Sequence, residues 1–216
     1  MRKAPNYIQS LFIRLPLITL FSLTFFANGT VQAKAESYAI EVIVFESLAL
    51  RGWTEEYWPE DFERPSIEGS SSVFSRGQKP LFIKNYANTL DGAVAKLNKR
   101  GYRVLFHQAW SQQAYANKNS PTVLIENKQG VGTNMLGTVR LYKTRYAHVD
   151  FDLEFEKYIP SKILEAFMQN QKISATQTPN SWRFHLKESR KIKPGELHYI
   201  DHPLFGVLVK IQPLEN

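Results

Sequence analysis

The chain has 216 residues, 43% of them hydrophobic, which is enough to bury the core of one well-packed domain. It contains no cysteine, and this excludes disulfides, thiolate chemistry and a lipidated cysteine. The formal net charge is +7, but residues 1–35 hold four of the 27 basic residues and no acidic one. The remaining 23 basic and 20 acidic residues leave a net charge of +3, which argues against a nucleic-acid partner.

The N-terminal residues have the three-part pattern of a secretory signal peptide. Three basic residues lie within the first 14 positions, a largely apolar run covers 15–26, and small residues follow at Ala33 and Ala35. The apolar run is shorter than the roughly 20 residues that a membrane-spanning helix needs. We therefore predict a signal peptide over 1–35, cleaved near Ala33 or Ala35, followed by one exported domain over 36–216 with no membrane span.

The first half of the exported part contains two predicted strands and one predicted helix. Residues 38–47 are apolar and β-branched, which predicts a buried strand. Residues 51–80 lack periodicity and predict a long loop. Apolar residues recur at helical spacing over 88–100 and Gly101 follows, so we predict a helix that ends there. The alternating segment 102–110 then predicts a strand. The order helix–strand suggests the second half of a βαβ-like unit, whose first strand is either 38–47 or the short segment 80–84.

The second half is richer in predicted strands. Residues 111–135 are polar and turn-rich, and a short helix is predicted within 161–170. Further strands are predicted over 136–142, 148–158, 182–191 and 204–211. The whole pattern predicts an α+β fold with about six mostly antiparallel strands and one main helix in a single domain.

The predicted strand over 148–158 alternates strictly between apolar and acidic residues. Its outward positions are all carboxylates: Asp150, Asp152, Glu154 and Glu156. Paired carboxylates can cleave glycosidic bonds. A carboxylate at every outward position is, however, more typical of a solvated strand face. Basic residues across a hairpin, at Arg140, Lys143 and Arg145, would explain the pattern without catalysis.

Two histidines and an aspartate cluster near the C-terminus. On a helix, the spacing of His198 and His202 would suit Zn²⁺. Pro203 directly after His202 favours extended backbone, in which the two rings lie about 13 Å apart, too far for one metal. We therefore predict no metal and no cofactor. The stretch is interpreted as a turn clamp in which Asp201 and the imidazoles bond to neighbouring groups, and the alternative is a polar ligand-binding rim.

The long loop contains Trp53, Tyr57 and Trp58 beside several glutamates. Aromatic faces and carboxylates suit glycan rings, so these residues can form a sugar-stacking surface. The alternative is that they anchor the loop on the core. The sequence has no G-x-S-x-G, H-E-x-x-H or Walker motif, and we predict that the protein is not an enzyme.

Three segments together resemble the CsiV family. They read Y-A-I-E-V-I-V-F-E after the signal peptide, E-Y-W-P in the long loop, and E-L-H-Y-I-D-H-P-L-F-G-V-L-V-K-I near the C-terminus. The segments S-R-K-I-K and G-T-V-R-L-Y also fit the family layout. The resemblance implies an exported, non-enzymatic periplasmic protein of Gram-negative bacteria that binds peptidoglycan and maintains cell shape. It also implies action with the lipoprotein activator of a class A penicillin-binding protein.

From these observations we expect peptidoglycan to be held weakly, in a shallow groove, by aromatic faces and hydrogen bonds. The candidate contact residues are Trp53, Trp58, His198, Tyr199, Asp201 and His202. A periplasmic protein–protein adaptor without glycan binding is the main alternative, and a metal-dependent cell-wall hydrolase is the second.

Overall fold

The structure is a computed structural model that describes residues 35–59, 61–73, 84–127 and 132–215. Within these ranges, ten strands form two sheets, and two short helices lie outside them. The strands are β1 (Glu36–Ser47), β2 (Ser71–Ser72), β3 (Lys84–Asn85), β4 (Tyr102–Ala114), β5 (Thr122–Glu126), β6 (Thr133–Lys143), β7 (Ala147–Tyr158), β8 (Ser181–Ile192), β9 (Leu197–Asp201) and β10 (Phe205–Pro213). The helices are α1 (Asp91–Lys99) and α2 (Leu164–Gln171). The predicted signal peptide lies outside the described residues, apart from Ala35.

The first sheet has the strand order β3-β4-β1-β10-β9, and the second has the order β2-β5-β6-β7-β8. Neighbouring strands are antiparallel, except that β2 runs parallel to β5. The predicted α+β class is therefore wrong, because the described chain is mostly β. The βαβ-like interpretation is also wrong, since β4 pairs antiparallel with β1 and with β3, which includes the described end of the segment 80–84.

The sequence patterns predict neither β5 nor β9. β9 belongs to the first sheet and β5 to the second. β5 lies inside the segment 111–135, whose polar and turn-rich composition suggests a loop. β9 includes the His-Tyr-Asp stretch that resembles a turn. Each is only five residues long and becomes a strand by pairing with a longer neighbour, β6 for β5 and β10 for β9. The β-propensity of five residues is a weak signal, and pairing with a neighbouring strand outweighs it.

One hydrophobic core contains residues of both sheets. The inward positions of β7 are 0–1% exposed, which confirms the predicted alternation; they are Val149, Phe151, Leu153 and Phe155. Phe155 of β7 stacks on Phe205 of β10 with ring centroids 3.8 Å apart, so this contact joins the second sheet to the first.

A buried carboxylate also joins the two sheets. Glu46 of β1 is fully buried and accepts hydrogen bonds from Arg103 Nε at 2.5 Å and Thr133 Oγ1 at 2.8 Å. Glu46 also forms an ion pair with Lys157 of β7, whose Nζ lies 2.7 Å from Glu46 Oε2. The same Nζ donates a hydrogen bond to the Ser47 carbonyl at 2.9 Å. Burial lowers the pKa of Lys157, and the hydrogen bond to Glu46 opposes that shift. The charge on Lys157 therefore depends on Glu46.

Replacing Glu46 by Gln should destabilise the fold by about 3 kcal/mol, because it leaves the Lys157 ammonium buried without its counter-ion. The matched control is Glu36→Gln, the same chemical change in the same strand. Glu36 is about half exposed and pairs with Lys143, so its loss should cost at most about 1 kcal/mol. Urea unfolding of both variants measures the difference. Equal losses would show that the buried network does not hold the sheets together.

Candidate functional site

Trp58 and His202 bring together two of the segments that carry the family resemblance. The two rings lie 5.1 Å apart, and the Trp58 ring also meets Phe184 edge-on at 5.4 Å. The Trp58 backbone N–H donates to Gln171 Oε1 at 2.7 Å, and its carbonyl accepts from Trp182 Nε1 at 3.3 Å. Through these two hydrogen bonds Trp58, which is only 8% exposed, fastens the long loop to α2 and β8.

The other predicted tryptophan is even more deeply buried. Trp53 is 1% exposed and meets Phe167 and Phe184 edge-on at 5.5 and 5.3 Å. The preceding Gly52 allows this packing, since a Cβ there would lie 2.6 Å from the Pro203 carbonyl oxygen. Neither indole presents a face to solvent. Both rings pack against the core, as expected if they anchor the long loop.

His202 begins the tight turn between β9 and β10. Its N–H donates to the Phe205 carbonyl at 3.1 Å, and the Phe205 N–H donates back to the His202 carbonyl at 3.2 Å. Its Nδ1 accepts a hydrogen bond from the Leu204 N–H at 3.2 Å. Burial lowers the pKa of His202 from 6.5 to about 4, and the neighbouring Asp201 offsets only part of this shift. The neutral ring is therefore the form that fits this turn.

The lowered pKa of His202 predicts a pH-dependent stability. Below pH 6.5 the unfolded chain protonates His202 while the folded chain does not until about pH 4, so acidification favours unfolding. At pH 5 this group should account for a loss of about 2 kcal/mol relative to pH 7. In His202→Asn, whose amide oxygen can still accept from the Leu204 N–H, the loss measured by urea unfolding should shrink by that amount.

The control for this experiment is His198→Gln, which removes a histidine from the same segment and keeps an acceptor for the Lys193 N–H. His202→Asn should lose more of the wild-type pH dependence than this variant does. A wild-type pH dependence in His202→Asn would contradict the assignment to His202.

The other three predicted residues lie on β9, the last strand in the order of the first sheet. Tyr199 is 50% exposed, donates its hydroxyl to Asp201 Oδ1 and stacks on Phe45 at 6.2 Å. Burial, followed by the hydrogen bond to Asp201, raises the pKa of Tyr199. The half-buried His198 accepts a hydrogen bond from the Lys193 N–H at 3.1 Å. Within the described ranges, no three His, Asp or Glu side chains come together as metal ligands.

A polar groove of about 640 Å³ lies on the outer face of the second sheet. The strand registers give the layout of its floor. One row across β5 to β8 contains Thr122, Arg140, Asp150 and Ser189, and the next row contains Thr138, Asp152 and Lys187. Ser66 and Glu68 of the long loop and Asn117 of a short 3-10 helix also line the groove. β6, β7 and β8 thus bring charges of both signs to one surface, and β5 adds the hydroxyl group of Thr122.

Hydrogen bonds on the groove floor leave part of its bonding capacity unused. Asp150 Oδ1 accepts from Ser189 Oγ at 2.6 Å, and Arg140 donates to Asn117 Oδ1 at 3.3 Å. Arg140 and Asp150 stand opposite each other in register, but no ion pair joins them in the part of the chain that the structure describes. Arg140 Nε is enclosed without a partner among the same residues. The opposed charges are therefore not neutralised by direct pairing.

The neighbouring carboxylate is more fully paired. Asp152 Oδ1 lies 2.6 Å from His185 Nε2, and its Oδ2 lies 3.5 Å from Lys187 Nζ. Glu154 lies 3.7 Å from Arg183 and 3.8 Å from Arg64. The basic partners of the acidic stripe thus come mostly from β8 and the long loop. Lys143, one of the basic residues that could explain the stripe without catalysis, pairs with Glu36 instead.

The long loop covers one end of this outer face. Phe62 stacks on His185 with ring centroids 4.8 Å apart, and the Arg183 guanidinium lies 5.0 Å from the centre of the Phe62 ring. The loop continues to Ser66 and Glu68 at the groove. Arg140 and Asp150 lie among the residues that line the groove.

Sequence reasoning missed Arg140 and Lys187 as candidate contacts. It treated Arg140 only as a charge partner of the acidic stripe and gave Lys187 no role. A signal was present in the outward positions of three predicted strands. Knowledge of their order and register was needed to place Arg140 beside Asp150 and Lys187 beside Asp152.

The two packed sheets and the open, charged groove define a β-rich binding domain. A family model described as "Peptidoglycan-binding protein, CsiV" matches residues 13–214, nearly the whole chain, and the chain belongs to this family. The resemblance noted in the sequence is thereby confirmed. No protein with a curated description and no solved structure matches the chain.

The family description concerns binding and names no enzymatic activity, and a peptidoglycan-binding family indicates a location in the cell envelope. In the described residues, no helix combines the length and apolar character needed to cross a membrane.

Proposed function

We propose that this protein is a non-enzymatic periplasmic accessory protein that binds peptidoglycan in the groove on the outer face of the second sheet. The observation that carries the proposal is the groove itself, about 640 Å³ with Arg140 and Lys187 beside Asp150 and Asp152. This volume is within the range of roughly 300–1,000 Å³ that is common for ligand pockets. Peptidoglycan offers carboxylates, amines, amides and hydroxyls, all of which can bond to such a floor.

Arg140 is the residue best suited to hold a ligand carboxylate. A guanidinium carries five N–H donors in a planar fork that matches a carboxylate. In the described residues, Arg140 forms one side-chain hydrogen bond, a long one to the Asn117 amide oxygen. Lys187, whose side chain is 66% exposed, can supply a second positive charge from the next row of the floor.

The accessory role extends this proposal to the synthesis of the cell wall. The protein would reach the periplasm through the predicted signal peptide over 1–35 and support wall synthesis and cell shape. Its partner in this role would be a lipoprotein activator of a class A penicillin-binding protein. The family description supports the peptidoglycan part of the proposal.

The six residues predicted from the sequence take different roles in this proposal. Trp53, Trp58 and His202 stabilise the β9–β10 turn and the long loop from inside the fold. His198, Tyr199 and Asp201 belong to a second surface on β9, beside the exposed Leu197.

Two exposed apolar side chains on β9 favour the adaptor as a second candidate function. Leu197 is 49% exposed and Tyr199 is 50% exposed. Apolar side chains grouped on a surface strand are suited to contact another protein. An adaptor that uses this strand alone would not bind peptidoglycan through the groove, so one binding experiment separates the two functions.

The experiment is co-sedimentation of the purified protein with purified sacculi. The wild-type protein should pellet at low salt, and added salt should weaken binding since the groove contacts are electrostatic. In Arg140→Ala/Lys187→Ala, the loss of two charge-assisted contacts should lower the affinity at least roughly tenfold.

The matched control is Lys99→Ala/Arg100→Ala, which removes the same charge at the exposed end of α1. It should sediment like the wild-type protein. Equal weakening of both double variants would mean that net charge alone attracts the wall. Failure of the wild-type protein to pellet at low salt would sink peptidoglycan binding and favour the adaptor.

A further inference from the structure

The groove has few features that would hold a sugar ring. The apolar C–H faces of a pyranose are favourably desolvated by a flat apolar surface such as an exposed aromatic ring. Two aromatic residues are among the described residues that line the groove. Tyr142 is 8% exposed and stacked on His148 at 5.0 Å, and Phe151 is 1% exposed and belongs to the core. Neither ring is free to act as a platform.

The floor instead presents opposite charges at the spacing of neighbouring strands. Directly opposed residues on antiparallel strands have Cβ atoms about 4.5–5.5 Å apart. Arg140 and Asp150 have this relation, and they do not pair with each other in the described part of the chain. A ligand group with a carboxylate and an ammonium a few ångströms apart can therefore satisfy both residues at once.

The hydroxyl groups around Arg140 and Asp150 can bond to the backbone of a bound peptide. Thr122 and Thr138 line the groove beside Arg140, and Ser189 donates to Asp150 from the other side. A hydroxyl can both donate and accept, which suits the alternating N–H and C=O groups of a peptide backbone. The groove is thus lined for a short, charged peptide.

We infer that the groove recognises the peptide stem of peptidoglycan at a residue that bears both a free carboxylate and a free amino group, and not the glycan strand. Arg140 holds the carboxylate and Asp150 holds the ammonium. A cross-link converts such an amino group to an uncharged amide, so the groove favours stems that are not cross-linked. This inference rests on the proposed function, because it names the part of the wall that the same groove binds.

The first test uses two soluble competitors in the co-sedimentation experiment with intact sacculi. One competitor is glycan strands that keep their stems after an endopeptidase has cut the cross-links, and the other is glycan strands from which an amidase has removed the stems. The stem-free strands should need an at least roughly tenfold higher concentration to displace the protein, as expected for the loss of charge-assisted contacts. Equal competition by both kinds of strand would overturn stem recognition and leave peptidoglycan binding intact. No binding to intact sacculi would overturn both proposals.

The second test measures competition by soluble stem peptides that end in a diamino acid. The peptide with its free amine should displace the protein from sacculi at a concentration about tenfold lower than the same peptide acetylated on that amine. In Asp150→Asn, a nearly isosteric change, the two peptides should compete equally.

The control for this substitution is Asp91→Asn on α1, where the aspartate is 79% exposed; it should keep the wild-type preference. A preference that persists in Asp150→Asn would overturn the role of Asp150. Equal competition by both peptides against the wild-type protein would overturn recognition of the amine.

Discussion

The ion pair between Glu46 and Lys157 fastens the inward face of β7 to β1 of the first sheet. Successive side chains of a strand alternate between its two faces, and a shift of one residue would exchange them. Because Lys157 is directed inward to Glu46, Phe155 and Phe151 also point inward. The even-numbered carboxylates, Asp150 among them, must then face outward onto the second sheet's outer surface. The buried charge pair and the open groove are thus two consequences of one strand register.

Period-2 alternation made the local character of β7 predictable from the sequence. The strict apolar–acidic pattern over 148–158 is long enough to exclude a helix, and the strand was found with the predicted inward face. Pairing between strands is a different kind of information. Nothing within β1 states that its neighbours are β4 and β10, and this is why the βαβ-like interpretation failed. The five-residue strands β5 and β9 were missed for the same reason, since their pairing partners stabilise them.

The candidate site was less predictable than the fold. Residue type suggested Trp53 and Trp58, yet an aromatic ring in a loop can be an anchor or a platform, and only burial distinguishes the two. The groove floor is built from common surface residues such as Arg140, Asp150 and Lys187, which are far apart in the sequence. Each looks like part of a solvated strand face until the register places them together. The groove depends on how these residues are arranged across neighbouring strands, and no single segment of the sequence shows that arrangement.

The contacts of Trp58 connect the segments that identify the family to the groove. Side-chain amides at the end of α2 donate to loop carbonyls, with Asn170 Nδ2 2.7 Å from the Thr54 oxygen and Gln171 Nε2 3.0 Å from the Glu56 oxygen. Trp58 then fixes the loop against β8 shortly before Phe62 crosses the outer face of the same sheet. In the proposed binding mode the buried aromatic residues contribute indirectly. They hold the loop that continues to Ser66 and Glu68 at the groove, and the charged residues on the strands are the proposed ligand contacts.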